Sequence, residues 1–536
     1  MFEAFRQQAA KQISGWSLPE KVGQLFILAF PGKDAEAARP LIERYNLGGC
    51  YLSQDNADTF AEARTLTQAM AAMRRADFPP LLLGVDQEGA WSVLSPESTT
   101  GPGNLALGSA AEPALTAAMY RVFGTEMRSA GFNCILGPCA DVNLKPNSPI
   151  IDTRAFGEIP AQVASQVAAA VHGAHDGGIV ACAKHFPGHG DTASDTHRDI
   201  PTVDKPLATL LEQDLAPFQA AIRAQVELIM TSHIRYPHID PQYPATLSAP
   251  ILQGLLREQL GFKGIVISDS MNMGAIRRNY SPVDAALLAF KAGIDMIMLS
   301  EEHYDHQSDY LDRQLAMVEA IVAAVQDGRF PESELNAKLE RVVAFKLARL
   351  TDMALYQDFD LAEHLHIEQQ LAQAAVKLLA DPGRHLPLHP DMEVVVVQTT
   401  PLADYGNLVN PRGIGPNQAA PAFDYFARTI SARHHHLSVL NHAQTQIFLK
   451  TAQPSRGQII LAITENYPLP GEDFAQDASN ALVKQLAERF GDRLIVVSLR
   501  SNYQQLPADI GQLCAYSSRP CSAEAAALAC LGRASA

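Results

Sequence analysis

Between residues 22 and 300, short runs that are apolar at nearly every position alternate with longer stretches whose apolar residues recur every three or four positions. The runs are 22–30, 48–52, 80–85, 133–138, 179–183, 228–232, 264–267 and 296–299. Runs of this kind mark strands covered on both faces, whereas the stretches 56–76, 113–130, 160–176 and 207–224 have the helical period. Buried strands separated by helices predict a parallel sheet, and eight such units predict an α/β fold of the (β/α)8 TIM-barrel type.

A helical region, 315–350, follows, and the turn Asp381-Pro382-Gly383-Arg384 precedes a second alternation. Runs 393–397, 458–462 and 494–498 read as buried strands and 419–433 and 475–490 as helices, which predicts a smaller α/β sandwich domain. The expected division is a barrel over 1–355, a helical linker over 356–390 and a C-terminal α/β domain over 391–536.

Composition narrows the partners. A net charge of -16 argues against nucleic acid, whose binding rests on Lys and Arg neutralising phosphates, and favours a small, neutral or weakly charged substrate. The seven cysteines include no Cys-x-x-Cys pair and several lie in apolar runs, as expected of buried free thiols in a reducing compartment. Residues 1–12 are charged throughout, and no apolar run reaches the ~18 residues a membrane span needs. The expectation is a cytoplasmic protein with no membrane partner; nothing in the sequence indicates an oligomeric state.

Polar residues collect where the strands end. Asp86, Asp141, Lys184-His185, Ser232-His233 and Asp269 each follow the last apolar residues of a run, and in a barrel those ends converge on the face that carries the chemistry. The densest stretch is Lys184-His185-Phe186-Pro187-Gly188-His189-Gly190-Asp191, continued by Asp195-Thr196-His197. Read alone, Asp195-Thr196-His197 is either a carboxylate orienting an imidazole or an Asx-turn beside an exposed histidine. Asp269 is either a reactive carboxylate or a helix N-cap, and Arg154 either a ligand contact or half of a structural ion pair. His185, His189 and His197 sit in a loop of glycine and proline and not on a helix that would present zinc ligands at i, i+4, so no metal is expected, and no glycine-rich phosphate loop suggests a cofactor.

The same stretch, with Val85-Asp86-Gln87-Glu88-Gly89, Arg154-Ala155-Phe156-Gly157, the segment 244–273 through Ser268-Asp269-Ser270, and 494–516, resembles glycoside hydrolase family 3 in its two-domain, NagZ-like β-N-acetylglucosaminidase branch. The resemblance implies a retaining glycosidase with Asp269 as nucleophile, His197 as acid/base and Asp195 holding its tautomer. It also implies that Asp86, Arg154, Lys184 and His185 bind sugar hydroxyls, and that the reaction is release of terminal β-linked N-acetylglucosamine from muropeptides or chitin oligosaccharides. Phosphorolysis of the same bond, a β-glucosidase of the same family and a catalytically silent sugar-binding protein are the alternatives. Where the family continues Asp-Gln-Glu-Gly with Gly-Arg, this chain has Ala90-Trp91, which bears on the rim of the sugar site.

Overall fold

The computed structural model describes the chain except residues 1, 54, 90–93, 95–96, 146–147, 149, 193–199, 301–308, 402–419, 452–456, 466–475, 504–505 and 533–536. In the first half the strands are β1 (Phe26–Leu28), β2 (Gly49–Leu52), β3 (Leu82–Val85), β4 (Cys134–Ile135), β5 (Val180–Phe186), β6 (Leu228–Thr231), β7 (Arg235–Tyr236), β8 (Asp240–Pro244), β9 (Ile265–Ile267) and β10 (Ile297–Leu299). Leaving aside the β7-β8 hairpin, they pair in parallel in the order β10-β1-β2-β3-β4-β5-β6-β9. A parallel bridge between Ile267 and Met296 then brings β9 to β10 and closes the barrel. The eight barrel strands are buried at every position, as expected of a sheet with helices outside and packed side chains within.

Three local outcomes differ from the apolar pattern. Val22 and Gly23 end a helix, Leu18–Gly23, because Ser17 and Glu20 form a reciprocal capping box at its start. The stretch 207–224 is two helices, Leu207–Glu212 and Ala216–Arg223, the second beginning at a proline in its first turn, where the missing N–H costs nothing. The β7-β8 hairpin breaks the strand-helix alternation, and its β8 residues are partly exposed, so no continuous apolar run announces it.

The second sheet comprises β11 (Lys377–Ala380), β12 (Glu393–Gln398), β13 (Leu437–Leu440), β14 (Gln458–Thr464), β15 (Leu494–Ser498) and β16 (Gly511–Cys514), in the order β11-β16-β15-β14-β12-β13. All neighbours are parallel except β11 and β16. Alternate residues of each central strand enter different cores. Val394, Val396, Ile459, Leu461, Ile495 and Val497 pack with Phe423, Phe426, Ala523 and Ala526. On the other face Val395, Val397, Ile460, Ala462 and Val496 pack with Leu482, Leu486 and Phe490. The two-residue alternation of a strand thus builds both faces of an α/β sandwich.

Segment 356–390 holds a helix, Leu361–Ala375, and then β11, which joins the second sheet. That helix is fastened to the barrel by Gly101 N–H to Glu368 Oε1 (2.7 Å) and by His364 Nδ1 against Glu126 Oε1 (2.8 Å). Its Ala372 packs against Cys521 and Ala525 of the second domain. Among the described residues no helix is long and apolar enough to cross a membrane. All seven cysteines are buried free thiols.

Candidate active site

The site begins at the carboxyl end of β3, where the chain leaves the sheet through Asp86 and, two residues on, Glu88. Neighbouring β5 carries Lys184 and His185 within the strand, which runs on to Phe186 after a register shift against β6. Lys184 Nζ lies 2.7 Å from Asp86 Oδ1 and 2.5 Å from Glu88 Oε1. Tyr51, from β2, donates its hydroxyl hydrogen to Asp86 Oδ2 at 2.9 Å. Asp86 stays half-buried. With one oxygen fixed by an ammonium and the other by a phenol, a carboxylate reaching open space offers its remaining lone pairs to sugar hydroxyls.

Glu88 is the buried centre of this cluster. Arg154, in the single turn Asp152–Arg154, donates to it through Nε and Nη2, both at 2.9 Å. Burial opposes charge on Glu88, yet Arg154 and Lys184 outweigh it and hold the carboxyl well below its usual range. Lys184 and Arg154 are held above theirs, because the loss of solvation is outweighed by Asp86 and Glu88 around the first and by Glu88 beside the second. Glu88, Lys184 and Arg154 are therefore ionised at neutral pH, one negative and two positive.

His185 is oriented from both sides. Its Nδ1 is 2.8 Å from Asp141 Oδ2, and Arg154 Nη2 approaches its Nε2 at 3.3 Å. A guanidinium only donates, so Nε2 is the accepting nitrogen and the proton lies on Nδ1, given to Asp141. Asp141 also accepts from the His189 N–H at 2.6 Å and from the Cys139 thiol at 3.2 Å. Burial acts against its charge, but His185 and His189 prevail and its carboxyl is lowered. Cys139, Asp141 and His185 bring possible ligand atoms within 4.8 Å of one another. Here those atoms are engaged with each other, and burial raises the Cys139 thiol well above its ordinary value.

Asp269 follows β9 and is half-buried, its Oδ1 accepting the Ser270 N–H at 2.7 Å. The next peptide is anchored from β6, since His233 Nε2 donates to the Ser270 carbonyl at 2.9 Å. Asp86 follows β3, Lys184 lies late in β5 and Asp269 follows β9, and because these strands run parallel in one closed barrel the three share its carboxyl end. The turn is thus fixed by hydrogen bonds while the Asp269 carboxylate remains partly open.

The loop after β5 starts rigidly. Gly188 has φ +137°, and its carbonyl accepts the Tyr236 hydroxyl. A Cβ on Gly190 would lie 1.6 Å from the Val142 carbonyl oxygen, so only glycine lets this loop close onto the segment after β4. Asp195 and His197, expected as acid/base pair, lie outside the described residues, as do Ala90 and Trp91.

The structure thus brings Asp86, Arg154, Lys184 and His185 into one hydrogen-bonded cluster, with Asp269 on the same barrel face. Sequence reasoning assigned no role to Glu88, Tyr51 or Asp141. For Glu88 a signal existed: it stands two residues beyond Asp86, next to a glycine, where no apolar core needs a carboxylate. Tyr51 carried none, being an aromatic inside a strand.

The second domain reaches this face as well. Arg500, after β15, pairs with Asp152 through Nε and Nη2. Tyr503 accepts at its hydroxyl the Asn143 amide hydrogen at 2.8 Å, and Arg519 donates to the Gly89 carbonyl at 3.1 Å. Residues that follow β15 and β16 thus dock on barrel segments that follow β3 and β4.

A closed parallel barrel with a charged cluster at its strand ends defines a barrel enzyme site, and comparison gives the family. Residues 17–345 match the glycosyl hydrolase family 3 N-terminal domain. The chain belongs to that family. It is 31% identical over 378 residues to β-hexosaminidase A of Pseudoalteromonas piscicida, covering 66% of this chain and 63% of that protein, so it spans somewhat under two thirds of that relative. A β-hexosaminidase of Xylella fastidiosa (strain 9a5c) is 36% identical over 250 residues, 45% of this chain and 73% of the other. Among solved structures, a glycoside hydrolase family 3 β-N-acetylglucosaminidase from Paenibacillus sp. str. FPU-7 superposes with TM-score 0.83 at 28% identity, covering 97% of both chains.

Proposed function

We propose that the protein is a retaining exo-β-N-acetylglucosaminidase. The observation that carries this reading is the Asp86 carboxylate, fixed by Lys184 and Tyr51, at the same strand-end face as Asp269. The named relatives, β-hexosaminidases and a β-N-acetylglucosaminidase, support the choice of sugar.

Asp86, Arg154, Lys184 and His185 hold the ring hydroxyls of a terminal sugar, and their mutual ion pairs keep each side chain in place before it arrives. The Asp269 carboxylate attacks the anomeric carbon and forms a glycosyl ester. The bond to the leaving oxygen breaks, and protonated His197, oriented by Asp195, delivers its proton to that oxygen. Neutral His197 then takes a proton from water as the water oxygen attacks the anomeric carbon, releasing the sugar with retained configuration and restoring Asp269. In a reducing, cytoplasmic setting, to which the seven free thiols are suited, the substrates are muropeptides or chitin oligosaccharides.

The test is release of p-nitrophenol from its N-acetyl-β-glucosaminide and its β-glucoside, with and without phosphate, by wild type and Asp269→Ala. Preference for the N-acetyl substrate, independence from phosphate and loss of turnover in the variant are expected. Preference for the glucoside, a requirement for phosphate or full activity of the variant would each overturn the corresponding part of the proposal.

A further inference from the structure

Among the described residues the second domain supplies no side chain to the cluster around Glu88, yet it holds one end of it. Asp152 is 1% exposed and sits at φ +34°, a left-handed backbone that non-glycine residues enter only when their surroundings impose it. Its side chain is pinned by Arg500, whose Nε and Nη2 both reach Asp152 Oδ2. Burial pushes the Asp152 carboxyl up while Arg500 pulls it down, so removing the guanidinium would leave a buried carboxylate without its counter-charge.

Asp152 opens the single turn that aims Arg154. Within it Arg154 N–H donates to the Ile151 carbonyl at 2.7 Å and Ala155 N–H to the Asp152 carbonyl at 3.2 Å. The Arg154 side chain then runs to Glu88, His185 and the Ile150 carbonyl, the last at 3.2 Å. A turn of three residues has too few internal hydrogen bonds to fix such a backbone by itself. It is held from outside by Asn104, whose Nδ2 donates to the Arg154 carbonyl at 2.8 Å, and by the ion pair from the other domain, which fixes its first residue.

We infer that Arg500 is a positioning residue for the sugar site: through its buried ion pair with Asp152 it sets the turn that aims Arg154 at Glu88, His185 and the substrate. Arg500 makes its ion pair with Asp152 and none with Asp86, Glu88 or Asp141, and its effect on the reaction passes through Arg154. The second domain is thereby part of the binding machinery of the barrel. The inference rests on the reading of Arg154 as a sugar ligand given above.

The test is a double-mutant cycle on p-nitrophenyl N-acetyl-β-glucosaminide with Arg500→Ala, Arg154→Ala and the pair. Arg154→Ala removes a charge-assisted hydrogen bond and should lower kcat/KM about 10- to 100-fold, mainly through KM. Arg500→Ala should lower it at least several-fold in the same sense, with Arg500→Lys recovering part because an ammonium restores charge but not the two-pronged contact. In the Arg154→Ala background Arg500→Ala should have no further effect. Multiplicative losses would overturn the inference, as would a loss confined to kcat. The second readout needs no turnover: the Arg154 side-chain Nε–H resonance, identified by its absence in Arg154→Lys, should shift in Arg500→Ala and stay put in Arg349→Ala, an arginine far from this turn. An unmoved resonance overturns the inference, whereas absence of wild-type turnover with a shifted resonance overturns only the proposed function.

Discussion

Arg154 and Glu88 face one another in a bidentate pair, two parallel hydrogen bonds of 2.9 Å between a guanidinium and a carboxylate that are 7% and 1% exposed. Glu88 also holds Lys184, so one carboxylate organises both cations of the sugar site. Glu88→Gln takes away the one carboxylate that both buried cations share, leaving Asp86 beside Lys184 and Asp141 near Arg154. Removing one partner of a buried pair costs about 3–5 kcal/mol. Urea denaturation should show a loss of that order for the barrel transition, together with a fall in kcat/KM.

Asp269 is half-buried and its Oδ1 accepts the Ser270 N–H, which predicts that its charge can be removed with little effect on folding. Asp269→Asn should reduce kcat by at least about a thousandfold, the scale of losing covalent catalysis. The melting temperature should stay within about 2 °C, because surface and site substitutions that break no buried pair rarely exceed ~0.5 kcal/mol. Circular dichroism melts beside initial rates check both.

Tyr51 fixes the half of Asp86 that Lys184 does not reach. Tyr51→Phe removes a single hydroxyl donated to a charged acceptor, an interaction worth about 1.5–3 kcal/mol at most. A rise in KM of roughly tenfold, with kcat changed less, is the expected result of a steady-state comparison. An unchanged KM would show that Asp86 keeps its orientation without the phenol.

Lys346 lies wholly buried at the opposite end of the barrel, donating to Gln24 Oε1 at 2.7 Å and to the Gly48 carbonyl. Burial depresses its ammonium to about 7, and two acceptors suit the two N–H groups of a neutral amine. Its folded-state value lies below the ordinary 10.5, so between about pH 7 and 10 the unfolded chain binds more protons and stability gains with rising pH. The melting temperature of wild type relative to Lys346→Met should therefore increase from pH 7 to pH 9. A difference that shrinks over that range would contradict it.

All seven cysteines are buried, and burial raises every one of their thiols. Only thiolates react readily with Ellman's reagent. The native protein should show essentially no fast-reacting thiol, and full reaction should follow unfolding in guanidinium chloride.

The eight-strand barrel, strands β12, β14 and β15 of the second sheet and the placement of Asp86, Asp141, Lys184, His185 and Asp269 near strand ends were legible in the sequence. Runs apolar at every position have one physical use in an α/β fold, and a polar residue ending such a run marks where the sheet meets solvent. The β7-β8 hairpin, β11, β13 and β16 were not legible, because they are short, partly exposed and show no continuous apolar run. Neither was Glu88, whose role comes from Lys184 and Arg154, 96 and 66 residues away along the chain. The same holds for Arg500 against Asp152. A carboxylate's partner is decided by which strand ends a closed barrel makes adjacent and by how the second domain docks on them. Local periodicity fixed the elements and roughly where their polar ends fall, while the pairing of charges across those ends, which depends on three-dimensional proximity and the loss of water, was decided only by the tertiary structure.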